Sequence, residues 1–220
     1  MLLLLGGASI ATLIAFAITI IFAFAYHEAA HAYTADYLGD PTPRSYGRIT
    51  LNPVAHLDRV GLLMVLLFGF GWASTPVNPS RLQGNPRVSH ALVAVAGPMA
   101  NLLMALLFAL PIRFGLVTST APFNEFVPSI GLLLYTGVPT NLLLFAFNLL
   151  PIPPLDGFTI LLGVLPAELA YRIAPLRQYG ILILLAAILL LPRLGFDIIG
   201  AIIFPIIQTF GLLFAGRPII

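Results

Sequence analysis

The 220-residue chain contains no cysteine and no lysine. Without cysteine there is no disulfide framework, no thiol nucleophile and no thiolate metal site, so any metal must be held by His, Asp or Glu. Without lysine the positive charge rests on arginines alone, and these are scattered through the chain rather than clustered, which argues against nucleic acid as a partner. Charge of either sign is scarce: 8% of residues are charged, against about 25% in a soluble domain. With 60% hydrophobic residues and a mean hydropathy of +1.03, the composition is that of an integral membrane protein whose surroundings are a lipid bilayer.

A basic segment is also missing ahead of the first apolar run. Ala23-Phe24-Ala25 resembles a small-residue cleavage site, but the first positive charge is Arg44 and the run exceeds the h-region of about 7 to 15 residues in a signal peptide. Residues 2 to about 37 therefore read as one retained helix. At about 20 apolar residues per span, further spans are expected at 88–112, 128–150, 178–192 and 197–215. The expected fold is an all-α polytopic bundle of about five transmembrane spans in a single domain, residues 1–220. Gly61 to Trp72 is apolar but too short to cross, and the turn-rich "STPVNPS" follows. It is expected to form a small membrane-associated hairpin or re-entrant loop.

Cytoplasmic loops are enriched in basic residues. If the first helix runs from outside to inside, Arg44, Arg48, Arg59, Arg81, Arg87, Arg172, Arg177 and Arg217 are cytoplasmic, and Arg113 and Arg193 are outside. The bias places the amino terminus outside.

What the chain does have is a set of ionisable groups at the end of its first apolar helix. His27-Glu28-Ala29-Ala30-His31 fits H-E-x-x-H, in which residues i and i+4 share a helix face and both imidazoles reach one ion. Glu28 is placed to take a proton beside that ion. Charged groups in a membrane helix cost several kcal/mol, which favours a functional over a packing role. Two histidines leave a tetrahedral zinc short of one protein ligand and one open position. Asp156 is the strongest candidate among the remaining acids. It lies in "NLLPIPPLDG", residues 148–157, where three prolines break a span on the cytoplasmic side, level with the histidines. His56 with Asp58 is better read as a structural loop pair, His90 as interfacial, and Asp36, Asp40 and Arg44 as a solvated loop or ion pair.

"YHEAAHAYTADYLGDPTPR", "LNPVAHLD", "AGPMAN" and "NLLPIPPLDG" together resemble the site-2 protease family of intramembrane zinc metalloproteases, peptidase family M50, in the compact form without a PDZ or CBS domain. The resemblance covers about residues 20 to 165. It implies one zinc ion held by His27, His31 and Asp156, Glu28 as general base, and Asn148 as a donor to the scissile carbonyl or its oxyanion. It further implies transmembrane protein substrates, a three-helix catalytic core, a prokaryotic plasma membrane location and an active site near the cytoplasmic side. Asn101 is a weaker polar candidate, equally well read as a helix-packing residue beside Gly97 and Ala100. The chain departs from the family where relatives carry G-x-A-K-P-V. It reads Gly71-Trp72-Ala73-Ser74-Thr75-Pro76-Val77, without the lysine, and has Arg59 where proline is common. A metal transporter and an inactive homologue that retains membrane proteins are the rival readings. The lack of an internal repeat opposes the first, and the retention of Glu28 opposes the second.

Overall fold

A computed structural model of the chain describes residues 8–56 and 75–219. Among these residues every regular element is helical. Three long helices, α1 (Ile10–Tyr37), α2 (Pro86–Arg113) and α3 (Ile130–Asn148), are followed by a short α4 (Asp156–Val164) and a composite segment α5 (Ala167–Leu194). The last helix is α6 (Ile198–Ala215). Five of the six, all but α4, are long and apolar enough to cross a bilayer. The expected hairpin at 61–72 lies outside the described residues.

Local chemistry explains where the helices start. Ser9 caps α1, its hydroxyl accepting from Thr12 N at 3.2 Å; Ser129 caps α3 through Leu132 N at 3.1 Å; Asp197 caps α6 through Gly200 N at 2.9 Å. Asn85 caps α2, with Pro86 in the first helical position, where a missing N–H costs nothing. A helix from residue 2 would put His27 about 38 Å along, beyond the hydrocarbon thickness of a bilayer. Helix α1 begins at Ile10, so His27 lies about 25 Å along, within that thickness.

Interhelical bonds set the directions. Ala11 N donates to Glu125 O at 2.9 Å, tying the start of α1 to the connection between α2 and α3, so α1, α2 and α3 alternate up, down and up. At the same end of the bundle Arg113 Nη1 donates to Leu213 O at 2.6 Å, and Arg217 Nη2 donates to Ile112 O at 3.1 Å. The rings of Phe145 and Phe210 meet edge to face with centroids 5.6 Å apart. Helix α6 therefore runs parallel to α2, and its carboxyl end lies beside Arg113.

This corrects two expectations. Arg217 belongs to the Arg113 end rather than the end that carries the histidines, and Arg193, just before α6 opens, belongs to the histidine end. The physical reason is α5, which the sequence reading treated as one crossing. It leaves α4 where Arg87 Nη2 bonds Leu165 O at 2.6 Å, and because α6 ends beside Arg113 and runs parallel to α2, α5 has to reach the start of α6 at the end where it began. Its helix is irregular, with a 3-10 stretch at Ala174–Tyr179 and a π turn at Ala186–Leu190. The basic bias survives the exchange: among the described arginines 44, 48, 81, 87, 172, 177 and 193 lie at the histidine end, and 113 and 217 at the other.

The main core joins α2, α3 and α6, with Ala105, Ala109 and Ile112 against Val138, Leu142 and Ala146 and against Ile203 and Ile207. Lipid tails are as apolar as leucine, so close packing rather than exclusion from water holds such helices together. The buried alanines let the backbones approach. A row of buried alanines on α1, Ala11, Ala15, Ala23, Ala25, Ala29, Ala32 and Ala35, seats that helix against the same pair.

Candidate metal centre

His27 and His31 project from one face of α1 with rings 4.6 Å apart and perpendicular. The third group comes from the break after α3. That helix ends at Asn148, residues 149–155 turn without helical structure, and α4 opens with Asp156 in its first turn. Prolines 151, 153 and 154 supply no amide hydrogen to continue α3, which is why the chain turns here. Gly157 completes the turn, since a Cβ on it would collide with the carbonyls of Leu149 and Leu150.

The result is a compact triangle of donor atoms. His27 Nε2 lies 3.0 Å from His31 Nε2 and 3.0 Å from Asp156 Oδ2, and His31 Nε2 lies 3.2 Å from Asp156 Oδ2. Helix α2 packs beneath the imidazoles at Gly97, where a Cβ would sit 2.7 Å from His27 Cε1 and closer still to the ring of His31. Both histidines and Glu28 are buried.

Hydrogen-bond partners decide the ring protons. His31 Nδ1 meets Val93 O at 2.7 Å, and a carbonyl oxygen only accepts, so Nδ1 carries the hydrogen. His27 Nδ1 meets Asn101 Oδ1 at 2.7 Å, with the same consequence. Both Nε2 atoms then present lone pairs to each other and to Asp156 Oδ2, which is buried and receives no hydrogen bond. Three acceptors facing one point, with no proton among them, repel one another unless a cation lies between. A tetrahedral ion with bonds of about 2.0 to 2.1 Å requires donors about 3.3 Å apart, within a few tenths of an ångström of this triangle. The donor set, two imidazoles and a carboxylate, suits zinc and leaves one position open.

Glu28 stands beside the triangle. Its Oε2 accepts from Thr75 Oγ1 at 2.6 Å, and the same hydroxyl lies 3.0 Å from Glu28 O. The residue next to the missing family lysine thus contacts the expected base.

The family model described as Peptidase family M50 matches residues 15–192. The chain belongs to peptidase family M50. This M50 chain is 39% identical over 173 residues to "Putative zinc metalloprotease YwhC" of Bacillus subtilis, an alignment that covers 76% of the chain and 77% of the relative. It is 33% identical over 174 residues to "Putative zinc metalloprotease Rip2" of Mycolicibacterium smegmatis, covering 77% of the chain and 64% of the relative. The Rip2 protein of Mycobacterium tuberculosis strain H37Rv is 30% identical over 172 residues, with 74% and 62% covered. No solved structure matches the chain significantly.

Of the expected site residues of this M50 peptidase, His27, His31 and Asp156 come together, and Glu28 flanks them. Asn148 is held elsewhere, its Nδ2 donating to Leu144 O of its own helix at 3.0 Å. His56 is fully buried with Nε2 2.7 Å from Thr50 O, and Asp58, its expected loop partner, lies outside the described residues. Asp36 and Arg44 form a two-pronged ion pair, Nε to Oδ1 at 2.9 Å and Nη2 to Oδ2 at 2.5 Å. Three residues around the site are not assigned by the sequence. Asn101 reads equally well as packing, Thr75 lies in a loop without periodicity, and Asn141 belongs to no motif. A buried amide in the middle of an apolar span was the available signal for Asn141.

Proposed function

We propose that this protein is an intramembrane zinc metalloendopeptidase that hydrolyses peptide bonds in or near the transmembrane segments of membrane proteins. The observation that carries this reading is the triangle of His27 Nε2, His31 Nε2 and Asp156 Oδ2 with the Glu28 carboxylate beside it, inside the apolar bundle. Zinc held there supplies Lewis acidity, lowering the pKa of water to about 7 and polarising a carbonyl.

The chain's own residues do the remainder. Glu28 accepts the proton from the attacking water and returns it to the leaving amine. Buried among apolar helices, it acts at short range in a medium that screens little. Asn148 serves as a donor to the developing oxyanion once its amide leaves Leu144 O. A substrate helix satisfies its own carbonyls, so the cleaved stretch must unwind before it reaches the triangle. The arginine bias supports a site near the cytoplasmic face with the start of α1 outside, in what we infer to be a prokaryotic plasma membrane. Cleavage there is the chemistry of regulated intramembrane proteolysis.

The test is metal content per purified chain, with cleavage of a transmembrane reporter substrate measured alongside. Wild type and Glu28→Gln are expected to carry about one zinc each, whereas His27→Ala and Asp156→Ala lose it. Glu28→Gln is expected to cut at least about a hundredfold more slowly. Full zinc retention in Asp156→Ala would remove the third ligand from the assignment.

A further inference from the structure

The proton on His27 Nδ1 is dictated from two helices away. Asn141, fully enclosed on α3, donates through Nδ2 to Gly137 O at 2.9 Å. A carbonyl accepts only, so the orientation of that amide is settled and its Oδ1 must point the other way, toward Asn101 on α2. Asn101 Nδ2 donates to this Oδ1 at 3.1 Å and to Ala23 O of α1 at 3.1 Å. Both hydrogens of Asn101 are then spent on acceptors, and its Oδ1 has one direction left, toward His27 Nδ1 at 2.7 Å. Asn101 is fully buried, and every polar atom of its side chain is bonded.

A single asparagine beside a histidine would leave the tautomer open, because an amide can rotate by half a turn and offer its NH2 instead. Rotation of Asn101 here would turn its oxygen onto two acceptors, Ala23 O and Asn141 Oδ1, and its NH2 onto His27. In a bundle interior without water each misplaced group costs about 1 to 3 kcal/mol.

We propose that Asn141 and Asn101 form a relay that holds His27 in the Nδ1–H form with its Nε2 lone pair facing His31 and Asp156, and so sets the metal affinity of the site. Both are positioning residues, acting through His27. The relay uses one residue from each of α1, α2 and α3, so the ligand geometry on α1 depends on all three helices being seated. This inference rests on the metal-site reading above and deepens it.

Two measurements test it. The first is zinc affinity by chelator competition in wild type, Asn101→Leu, Asn141→Leu and Asn101→Asp. Outer partners of ligating histidines typically contribute about 10- to 100-fold. Both leucine variants are expected to weaken zinc by that factor. Asn101→Asp keeps an oxygen on His27 Nδ1, with its second oxygen protonated toward Ala23 O or Asn141 Oδ1, and is expected to bind zinc more tightly than Asn101→Leu. A packing role alone would leave Asn101→Asp as impaired as Asn101→Leu, and that result overturns the relay. So does wild-type affinity in Asn141→Leu. The second measurement needs no variant at the relay: 15N spectra of histidine-labelled, metal-free wild type, assigned with His27→Ala, where only four histidines contribute. Protonation of His27 at Nδ1 supports the relay, and protonation at Nε2 refutes it. Wild type that binds no zinc refutes the metal site itself, whichever tautomer is found.

Discussion

At the scale of single residues, the polar groups of this chain divide by whether their partners are local or distant. Asp40, just beyond α1, has both kinds. It is fully buried, and its carboxylate accepts from Thr42 N at 3.0 Å, Thr42 Oγ1 at 2.5 Å and Asn78 N at 2.6 Å. Burial pushes its pKa up. The hydrogen bonds from Thr42 and Asn78 and the charge of Arg81 outweigh that, so the folded carboxyl titrates below its ordinary value. A depressed folded pKa stabilises the protein above the unfolded pKa of about 3.9, and that stability is lost as the pH falls through the folded value. Asp40→Asn is expected to lower stability by about 1 to 3 kcal/mol at pH 7, because hydrogen bonds to a charged, buried acceptor are lost. The gap between variant and wild type is expected to narrow below about pH 4. Thermal unfolding in detergent at pH 7 and pH 3 measures it. A gap that widens on acidification contradicts the account.

At the scale of elements, the site depends on how closely α2 approaches α1. Gly97 is the contact point, followed by Pro98, which lacks an amide hydrogen for Ala94 O and crowds that carbonyl. The same stretch of α2 provides Val93 O to His31 and, two turns on, Asn101 to His27. A methyl group at Gly97 must displace an imidazole or move the helix away. Gly97→Ala is therefore expected to reduce zinc affinity by at least about tenfold while the helix content measured by circular dichroism stays as in wild type. Unchanged zinc affinity would mean that the helices separate without cost to the site. Helix α4 also packs on α2, nearer its start, where a Cβ on Gly163 would overlap Ala91. The histidines and Asp156 are thus referenced to one helix that contributes no ligand of its own.

At the scale of the whole molecule, direction matters more than span count. The start of α1 and the end of α6 share the Arg113 end, because Ala11 bonds the loop after α2 and Arg217 bonds Ile112. The absence of native cysteine makes this directly measurable. Single cysteines at Ser9, Gly115 and Gly216 are expected to react with an impermeant thiol reagent from one side of the membrane, and those at Arg48 and Arg193 only from the other. Labelling of Arg193→Cys from the same side as Gly115→Cys would show α5 crossing as an independent span, and the parallel course of α2 and α6 would be wrong.

The sequence by itself determined the membrane class, the long helices and the donor set. Each of those is written in local pattern: apolar run length, the i and i+4 spacing of His27 and His31, and the prolines that stop α3 before Asp156. Only the tertiary structure decided three further things. It placed Thr75 on Glu28, coupled His27 to Asn141 through Asn101, and turned α6 so that Arg217 joins Arg113. None of these leaves a periodic trace, because each joins residues dozens of positions apart. A side-chain amide reads alike in sequence whether it packs or positions, and an apolar helix reads alike whether its ends lie on one side or two. What distinguishes them is the direction of a hydrogen bond and of a helix axis, and both exist only once the helices have been packed.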